Sequence, residues 1–324
     1  MTLPRRSLLA TAALLPLPAL AQRAWPSRPT RLICPFAPGG TTDIVARIVA
    51  EQLTIRLGQP VVVENRPGGG ATVAAAQMVG VEPDGHTLFV SNSASHGISP
   101  TLFRNIGYDP MADFTHIALA ATTSTAVLVH PRYEAQTLRA LVELGRRRPD
   151  GLDFAISGAG TSTHLLGMRF ASEAGIRLNP IPYRGSGPAL IDVVAGTVGL
   201  MFDGLPSCIP LIREGRLNAI AVADPERNSF LPNVPTMIEQ GFPGMTSYSW
   251  FGVSGPRNLP RPIVDRLSQE IRDILRMPAV RERWTNLTAN APDTTPEQYT
   301  EFVREELRVW GGVVQAVGLA GSGA

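Results

Sequence analysis

The stretch PFAPGGTTDIVAR, residues 35 to 47, places a proline and two glycines between an apolar run and an amphipathic one. The apolar run, residues 31 to 34, predicts a short buried strand, and the glycines predict a loop whose backbone approaches a neighbour closely. Thr41 predicts a helix N-cap, because its hydroxyl accepts a backbone N–H group two or three residues further on. Apolar side chains then recur through residues 44 to 53, and Gly58 predicts the end of the helix.

When a helix follows a strand and a glycine loop, the first N–H groups of the helix lack partners at its positive end. Such N–H groups predict a binding site for an anion. A turn that merely connects strand and helix has the same pattern. A near copy, SGAGTSTHLLGMRF at residues 157 to 170, follows another apolar run. Aligning Gly40 with Gly160 separates the copies by 160 − 40 = 120 residues. This spacing predicts one such anion site in each lobe of a two-lobed protein, with a ligand between them; a chance repeat in a glycine-rich chain is the alternative.

Nucleotide-binding loops are excluded by residue type and spacing. A phosphate-binding P-loop requires GxxxxGK followed by Ser or Thr, and the chain contains no lysine. A dinucleotide fold requires GxGxxG at the start of the helix, whereas the order here is PGGTTD. The glycine loops therefore belong to neither nucleotide-binding class.

Length and composition fit two α/β lobes, since 44% of the 324 residues are hydrophobic and 17% are charged. Residues 1 to 21 differ, because two arginines precede an apolar run that ends in ALA, the small-x-small pattern of a cleavage site. They predict an export signal, of the Sec or the twin-arginine type, and a mature chain that starts at Gln22 in the periplasm. Its removal takes the formal net charge from +2 to 2 − 2 = 0. The sequence has no basic run with interleaved aromatic residues, so we expect no nucleic-acid partner.

Alternating strand and helix patterns predict an α/β fold in which each lobe is a mostly parallel sheet flanked by helices. Long apolar stretches predict two places where the chain crosses between the lobes. We expect residues 22 to 121 and 224 to 324 to form the first lobe, and residues 122 to 223 to form the second. Cys34 and Cys208 then fall in different lobes, which predicts two buried thiols rather than a disulfide.

Catalytic residues are missing from their usual patterns. The sequence GVSGP at residues 252 to 256 approaches the nucleophile elbow GxSxG, but proline holds the last position. The five histidines lack metal-ligand spacing, so we expect no metal and no cofactor. His164 lies in the second glycine stretch, either as a hydrogen-bond donor to the loop or as a ligand contact. Asp203 is predicted at the carboxyl end of a strand, where open α/β sheets place ligands; the alternative is a cap for the next helix.

In order along the mature chain, several segments resemble the periplasmic receptors of the tripartite tricarboxylate transporters, called the Bug receptors. Besides the leader, these segments are PFAPGGTTDIVAR, VVVENRPGGG, SGAGTSTHLLGMRF, PYRGSGPALIDVVAGTVGLMFD and LPNVPTMIEQG. The resemblance implies a two-lobed type II periplasmic-binding-protein fold that closes on a small carboxylate through backbone amides, hydroxyls and water. It implies a di- or tricarboxylate, an acidic amino acid or an aromatic acid as ligand, for uptake or sensing. It also implies membrane transporter subunits as partners, and we expect a monomer.

Carried over position by position, the resemblance implies ligand contacts in four places: the first loop, the end of the strand beside it, the second loop, and Asp203. In some members the position of Asp203 meets a ligand's amino group. The implied ligand-binding residues are Phe36, Ala37, Gly39, Gly40, Thr41, Thr42, Asp43, Ser91, Asn92, Ser157, Ala159, Gly160, Thr161, Ser162, Thr163, His164 and Asp203.

A second hypothesis is an exported serine-type hydrolase that uses a serine hydroxyl together with His164. It rests on the hydroxyl groups that lie near this histidine in the sequence. A receptor closes on its ligand without turnover, whereas a hydrolase of this type reacts with a serine-directed covalent probe.

Overall fold

The computed structural model describes residues 25–322, so the predicted leader at residues 1 to 21 and its cleavage site lie outside the described residues. Within the described chain, no helix is both long enough and apolar enough to cross a membrane. The described strands are β1 (Thr30–Cys34), β2 (Val61–Asn65), β3 (Thr87–Asn92), β4 (Phe114–Val129), β5 (Leu152–Ile156), β6 (Leu178–Pro182), β7 (Leu200–Gly204), β8 (Asn218–Val222), β9 (Tyr248–Pro256) and β10 (Ala289–Asn290). The described α-helices are α1 (Thr41–Leu57), α2 (Thr72–Ala76), α3 (Ser99–Leu102), α4 (Leu138–Arg147), α5 (Ser162–Ala174), α6 (Ser186–Ala195), α7 (Leu205–Arg213), α8 (Arg261–Arg276), α9 (Pro278–Asn286) and α10 (Pro296–Ala316).

The long strand β4 is shared by two halves of the described sheet. Hydrogen-bonded neighbours follow the order β2-β1-β3-β9-β4-β7-β5-β6, and β10 and β8 also pair with β4. Residues 114 to 124 of β4 pair with β9, whereas residues 125 to 129 pair with β7. We call the part built on β1, β2, β3, β9 and β10 the first lobe, and the part built on β5, β6, β7 and β8 the second lobe.

Strand direction changes from the outside of each lobe towards β4. β1 pairs in parallel with β2 and β3, and β5 pairs in parallel with β6 and β7. β9 is antiparallel to β3 and β4, and β7 and β8 are antiparallel to β4. The two-lobed fold is therefore the predicted one, with parallel outer strands, and the strands that carry the chain between the lobes are antiparallel.

Each sheet is covered on both faces, because alternate side chains of a strand point to opposite sides. Leu32 of β1 packs in the core formed with α1 and α8, whereas Ile33 packs in the opposite core. Cys34 belongs to the first of these cores, and Cys208 on α7 belongs to a core of the second lobe. Both cysteines are buried and free, as the sequence predicts.

The contacts of the segment that follows β8 bear on where the chain returns to the first lobe, for which the sequence predicts residue 224. Met237 and Met245 are buried in a core of the second lobe, together with side chains of β5 and β7. β9, which pairs with strands of the first lobe, begins at Tyr248. Because buried side chains tie this connecting segment to the second lobe, we propose that the lobes divide within β4 near residue 124 and again at Tyr248.

Candidate functional site

A cavity of about 40 Å³ lies between the lobes, where the chain leaves the carboxyl ends of β1, β3, β5 and β7. Its walls are mostly hydroxyl groups, with one amide, one carboxylate and two phenylalanine rings. The lining residues are Phe36, Gly40, Thr41, Thr42, Asn92, Ser93, Ala94, Ser157, Thr161, Ser162, Thr163, Ser186, Asp203, Gly204, Ser249 and Phe251. None of these residues is an arginine or a histidine, so an anionic ligand here meets N–H and hydroxyl groups rather than a cationic side chain.

Four helices begin at the cavity. Thr41, Ser162 and Ser186 are the first residues of α1, α5 and α6, Gly204 is the N-cap of α7, and all four line the cavity. The first N–H groups of a helix have no partner within it, and they carry the positive end of the helix dipole. Helix N-termini with these properties bind phosphates and carboxylates in many proteins. The converging helix starts therefore bring four positive helix ends to one cavity.

The first glycine loop is held by the carboxylate of Asp43. Gly39 has a φ of +85° and donates its N–H to Asp43 Oδ2 at 3.0 Å. Arg47 Nε donates to the same oxygen at 2.9 Å, and Asn65 Nδ2 donates to Oδ1 at 2.8 Å. Burial by itself raises the pKa of Asp43, but the hydrogen bonds from Arg47, Asn65 and the Gly39 N–H group outweigh it and lower the pKa. The ionised carboxylate thus accepts hydrogen bonds that fix the loop.

The prediction that Thr41 caps α1 is wrong. Gly40 is the N-cap, with φ −88° and ψ 170°, and no side chain caps the helix. The Thr41 hydroxyl lies instead 2.9 Å from Ser207 Oγ on α7, and it donates to the Gly204 carbonyl at 3.5 Å. A side chain predicted to serve its own helix therefore connects the first lobe to the second.

The second glycine loop uses its hydroxyls differently. Thr161 is the N-cap of α5 and accepts the His164 N–H at 3.3 Å. Gly160 has a φ of +74° and donates its N–H to His164 Nδ1 at 3.2 Å. Ser162, the first residue of α5, lies with its hydroxyl 2.7 Å from Ser249 Oγ on β9. This second hydroxyl pair also joins the two lobes.

The two loops have the same backbone design, but equivalent positions are one residue further apart than the sequence alignment predicts. The N-caps Gly40 and Thr161 are 161 − 40 = 121 residues apart, not 120. In each loop the glycine before the N-cap has a positive φ and donates its N–H to the side chain four residues later. The repeat is therefore a structural one, and composition alone misplaced its register.

Direct backbone contacts between the lobes explain the glycine of the first loop. The Ala37 N–H donates to the Arg184 carbonyl at 2.9 Å, across the boundary between the lobes. A Cβ atom added to Gly40 would lie 3.2 Å from Ser186 Cβ. Because the φ of Gly40 suits any residue, tight contact with the neighbouring lobe rather than backbone strain disfavours a side chain here.

A buried carboxylate, Asp203, forms part of the cavity wall. Only 2% of Asp203 is exposed, and its two oxygens accept hydrogen bonds from Ser186 Oγ and Ser207 Oγ, each at 2.6 Å. Burial raises the pKa of Asp203 to about 6, although the hydrogen bonds from Ser186 and Ser207 oppose the rise. No arginine or histidine among the described residues pairs with this carboxylate. Its negative charge is thus met by two hydroxyl groups and the Gly204 backbone rather than by a cationic side chain.

A family model described as "Tripartite tricarboxylate transporter family receptor" matches residues 45–319. The chain belongs to this receptor family. It is 34% identical over 295 residues to protein BugT of Bordetella pertussis, covering 91% of this chain and 90% of that protein. Among solved structures, it is similar to an R. palustris protein with adipate, with a TM-score of 0.88, 32% identity and coverage of 91% and 99% of the two chains. It is also similar to MatC from Rhodopseudomonas palustris with bound malate, with a TM-score of 0.86, 34% identity and coverage of 90% and 100%.

Ten of the seventeen predicted ligand residues line the cavity of this receptor. They are Phe36, Gly40, Thr41, Thr42, Asn92, Ser157, Thr161, Ser162, Thr163 and Asp203. The other seven do not line it: Ala37, Gly39, Asp43, Ser91, Ala159, Gly160 and His164. Most of these seven set the shape of the two loops, as the glycine N–H bonds to Asp43 and His164 show. Ala159 presents its carbonyl to the first lobe, since a Cβ atom on Gly70 would lie 1.8 Å from that oxygen.

Ser91 and His164 have structural partners. Ser91 Oγ lies 2.8 Å from Ser254 Oγ and 2.7 Å from Tyr299 Oη, inside the first lobe. His164 is 2% exposed and stacks on Phe154, and burial lowers its pKa to about 4. The structure shows His164 bonded to the loop, but as the acceptor of the Gly160 N–H at Nδ1 rather than as the predicted donor.

Sequence reasoning missed six lining residues: Ser93, Ala94, Ser186, Gly204, Ser249 and Phe251. A signal existed for Ser186, because RGSGPA at residues 184 to 189 repeats the pattern of glycine and hydroxyl residues before a helix. Ser249 and Phe251 belong to β9, which reaches the cavity only because the chain returns to the first lobe at this point. No local pattern marks such residues.

Proposed function

We propose that this receptor binds a small organic acid in the cavity between its lobes, for uptake or for sensing. The convergence of four helix N-termini on a hydroxyl-lined cavity without a cationic side chain carries this proposal. N–H groups, hydroxyls and bridging water bind a carboxylate without the strong ion pair that would slow its release. Moderate affinity suits a protein that has to hand over its cargo.

Asp203 narrows the class of acid. A second negative charge close to a buried carboxylate is costly unless a donor stands between the two. We infer that the ligand carries a hydroxyl or amino group that donates to Asp203, as in a hydroxy acid or an amino acid. MatC, the relative with bound malate, holds an acid with a hydroxyl group, whereas the adipate of the other relative has none. The hydroxyl-bearing acid is the better model for this cavity.

A thermal-shift screen of mono-, di- and tricarboxylates, hydroxy acids and amino acids, followed by calorimetry, tests this function. Because the pKa of Asp203 is about 6, its charge changes between about pH 5 and about pH 8. An amino acid should bind more tightly at the higher pH, since the ionised carboxylate accepts from its ammonium group. A plain dicarboxylate should bind more tightly at the lower pH, since protonation removes the repulsion. The variant Asp203→Asn should lose both trends.

Two results would contradict these proposals separately. If no acid in the screen stabilises the protein or gives heat on mixing, the receptor function proposed here is wrong. If acids bind but Asp203→Asn keeps the same pH trends and the same ranking of ligands, only the role of Asp203 is wrong. Circular dichroism of the variant serves as the folding control.

The hydrolase hypothesis has weaker support. The serine–histidine hydrogen bonds among the described residues join Ser95 to His96 at 2.9 Å and Ser254 to His116 at 3.1 Å. All four residues are buried and none lines the cavity. Ser254, the serine of GVSGP, lies inside β9 rather than at a strand-to-helix turn. We expect no labelling by a fluorophosphonate probe; labelling of a cavity serine would favour the hydrolase.

Location and partners complete the proposal. We propose that residues 1 to 21 are removed on export and that the mature chain starts at Gln22 in the periplasm. We also propose that it acts as a monomer and meets membrane transporter subunits. Intact mass of the exported protein decides the first point, because a species that retains the leader would contradict it. Light scattering across concentrations decides the second.

A further inference from the structure

A second, larger pocket lies on the side of the molecule where the chain returns to the first lobe. Its volume is about 240 Å³, compared with about 40 Å³ for the ligand cavity. α5 of the second lobe forms one wall and α10, which packs on the first lobe, forms the other. The segment at residues 246 to 248 closes one end, just before β9 begins. We call this space the hinge pocket.

The hinge pocket combines an apolar surface with two polar groups that have spare capacity. Leu166, Val309 and Trp310 supply the apolar wall. Arg169 Nε donates to Glu173 Oε1 at 3.0 Å, and both side chains are about one-third exposed. Ion pairs this exposed contribute little to stability. The guanidinium fork has further N–H donors for an anion. Ser247 Oγ is buried in the same pocket and has no hydrogen-bond partner.

The acidic residue of the pocket, Glu306, is held by three neutral donors. The Glu306 carboxylate accepts from Tyr248 Oη, from Trp250 Nε1 at 2.6 Å and from Trp310 Nε1 at 2.8 Å. Glu306 is 4% exposed, and its bonds to Tyr248 and Trp250 fix α10 to β9. Further donors in the pocket are carried by Arg169, Thr246 and Ser247. An apolar wall with these donors fits an amphiphilic anion.

The walls of the hinge pocket come from both lobes, so its shape depends on how the lobes are arranged. α5 also begins at the ligand cavity, where Ser162 and Thr163 line it. Leu165, which lines the pocket, packs with Ile98 and Trp310 of the opposite side. A molecule that fits the pocket only in this arrangement stabilises the arrangement by its binding free energy.

We propose that the hinge pocket is a second binding site, which takes a small amphiphilic acid with an aromatic or short aliphatic body and so favours the closed arrangement of the lobes. The acid group meets Arg169 and Ser247, and the body lies against Val309 and Trp310. This site is separate from the ligand cavity, and it stands whether or not the ligand of that cavity is a hydroxy acid.

Anilinonaphthalene sulfonate, an aromatic anion whose fluorescence rises in apolar surroundings, is the probe for this site. We expect one molecule to bind per native chain. Val309→Trp fills the pocket and should weaken binding by about tenfold or more. Val79→Trp is the matched control, because Val79 and Val309 are both 42% exposed and Val79 does not line the pocket. Its affinity for the probe should equal that of the unmodified protein.

Two further variants keep the test decisive if Val309→Trp folds poorly. Arg169→Gln should weaken binding severalfold, and Arg169→Lys should restore part of the loss. Gly40→Val, which adds a side chain at the contact between Gly40 and Ser186, should also weaken binding of the probe. Absence of binding, or equal affinity in Val309→Trp and Arg169→Gln, would overturn the site. Equal affinity in Gly40→Val would overturn its dependence on the closed arrangement.

Discussion

The two glycine loops that border the ligand cavity share one backbone design and differ in the chemistry that holds it. In both, a glycine with a positive φ precedes the N-cap and donates to a side chain four residues later. In the first loop that side chain is Asp43, an ionised group paired with Arg47. In the second it is His164, a buried neutral ring. Equivalent positions therefore carry a charged anchor in one lobe and an uncharged anchor in the other.

The N-caps differ for a reason that lies outside each loop. Thr161 caps its own helix with a side chain, because its place in the cavity wall leaves room for one. A side chain on Gly40 would crowd Ser186 of the other lobe, whose Cβ would lie 3.2 Å from the added Cβ atom. The comparison teaches that the closing contact between the lobes, rather than helix capping, selects the residue of the first loop.

The largest effect is expected for Gly40→Val. The added Cβ atom would meet Ser186 at 3.2 Å and the rest of the side chain would extend into the contact between the lobes. Calorimetry should therefore show no measurable binding of an acid that binds the unmodified protein, with an unchanged circular dichroism spectrum. Gly312→Val is the matched control, since nothing lies within 4 Å of its Cβ position. Unchanged affinity in Gly40→Val would mean that the first loop is only a turn.

The next effect is a loss of stability at acidic pH, which we expect to differ between the loop anchors His164 and Asp43. His164 has a pKa of about 4 in the fold and about 6.5 when unfolded, so the unfolded chain binds more protons between these values. Stability from neutral His164 is complete above about pH 6.5 and is lost as the pH falls towards 4, by about 3 kcal/mol in total. Urea unfolding of His164→Asn, which keeps a δ-position acceptor for Gly160, should show a smaller loss over this range.

Asp43→Asn is the matched variant for the first loop. The pKa of Asp43 is lowered, so its contribution is present above the unfolded pKa and is lost only under more acidic conditions. Asp43→Asn should therefore reduce stability at neutral pH and leave the slope between pH 6.5 and 4 unchanged. Parallel stability curves for His164→Asn and the unmodified protein would show that the neutral histidine is not the acid-sensitive anchor.

The sequence predicted the two-lobed fold because strand and helix periods are local and strong. Both glycine loops, the buried state of Cys34 and the stretch that became β4 were visible in this way. The register of the repeat and the role of Thr41 were not, because each depends on which surfaces meet after folding. A hydroxyl residue near a helix start predicts an N-cap from sequence. The sequence pattern is the same when that hydroxyl bonds to the other lobe instead, as that of Thr41 does.

A smaller effect is expected for Thr161→Val. The change removes the side-chain cap of α5 and one hydroxyl from the cavity wall, while it keeps the shape of the side chain. Ligand affinity should fall by roughly 1 to 3 kcal/mol, the range for a buried polar group that loses its partner. Thr137→Val is the control, because Thr137 caps α4 on an exposed surface. It should reduce stability without a change in affinity; equal affinities for both variants would exclude Thr161 from the site.

The smallest effect is expected for the hydroxyl pairs that join the lobes, Thr41 with Ser207 and Ser162 with Ser249. When the lobes separate, water replaces each partner, so each pair favours the closed arrangement by only about 0.5 to 1.5 kcal/mol. Since ligand binds best to the closed arrangement, Thr41→Val should lower the apparent affinity by that amount and leave the free energy of unfolding of each lobe nearly unchanged. The control is Thr54→Val on the same helix, because the Thr54 hydroxyl bonds only within the first lobe. If Thr54→Val and Thr41→Val change affinity equally, the interlobe pair does not contribute to closure.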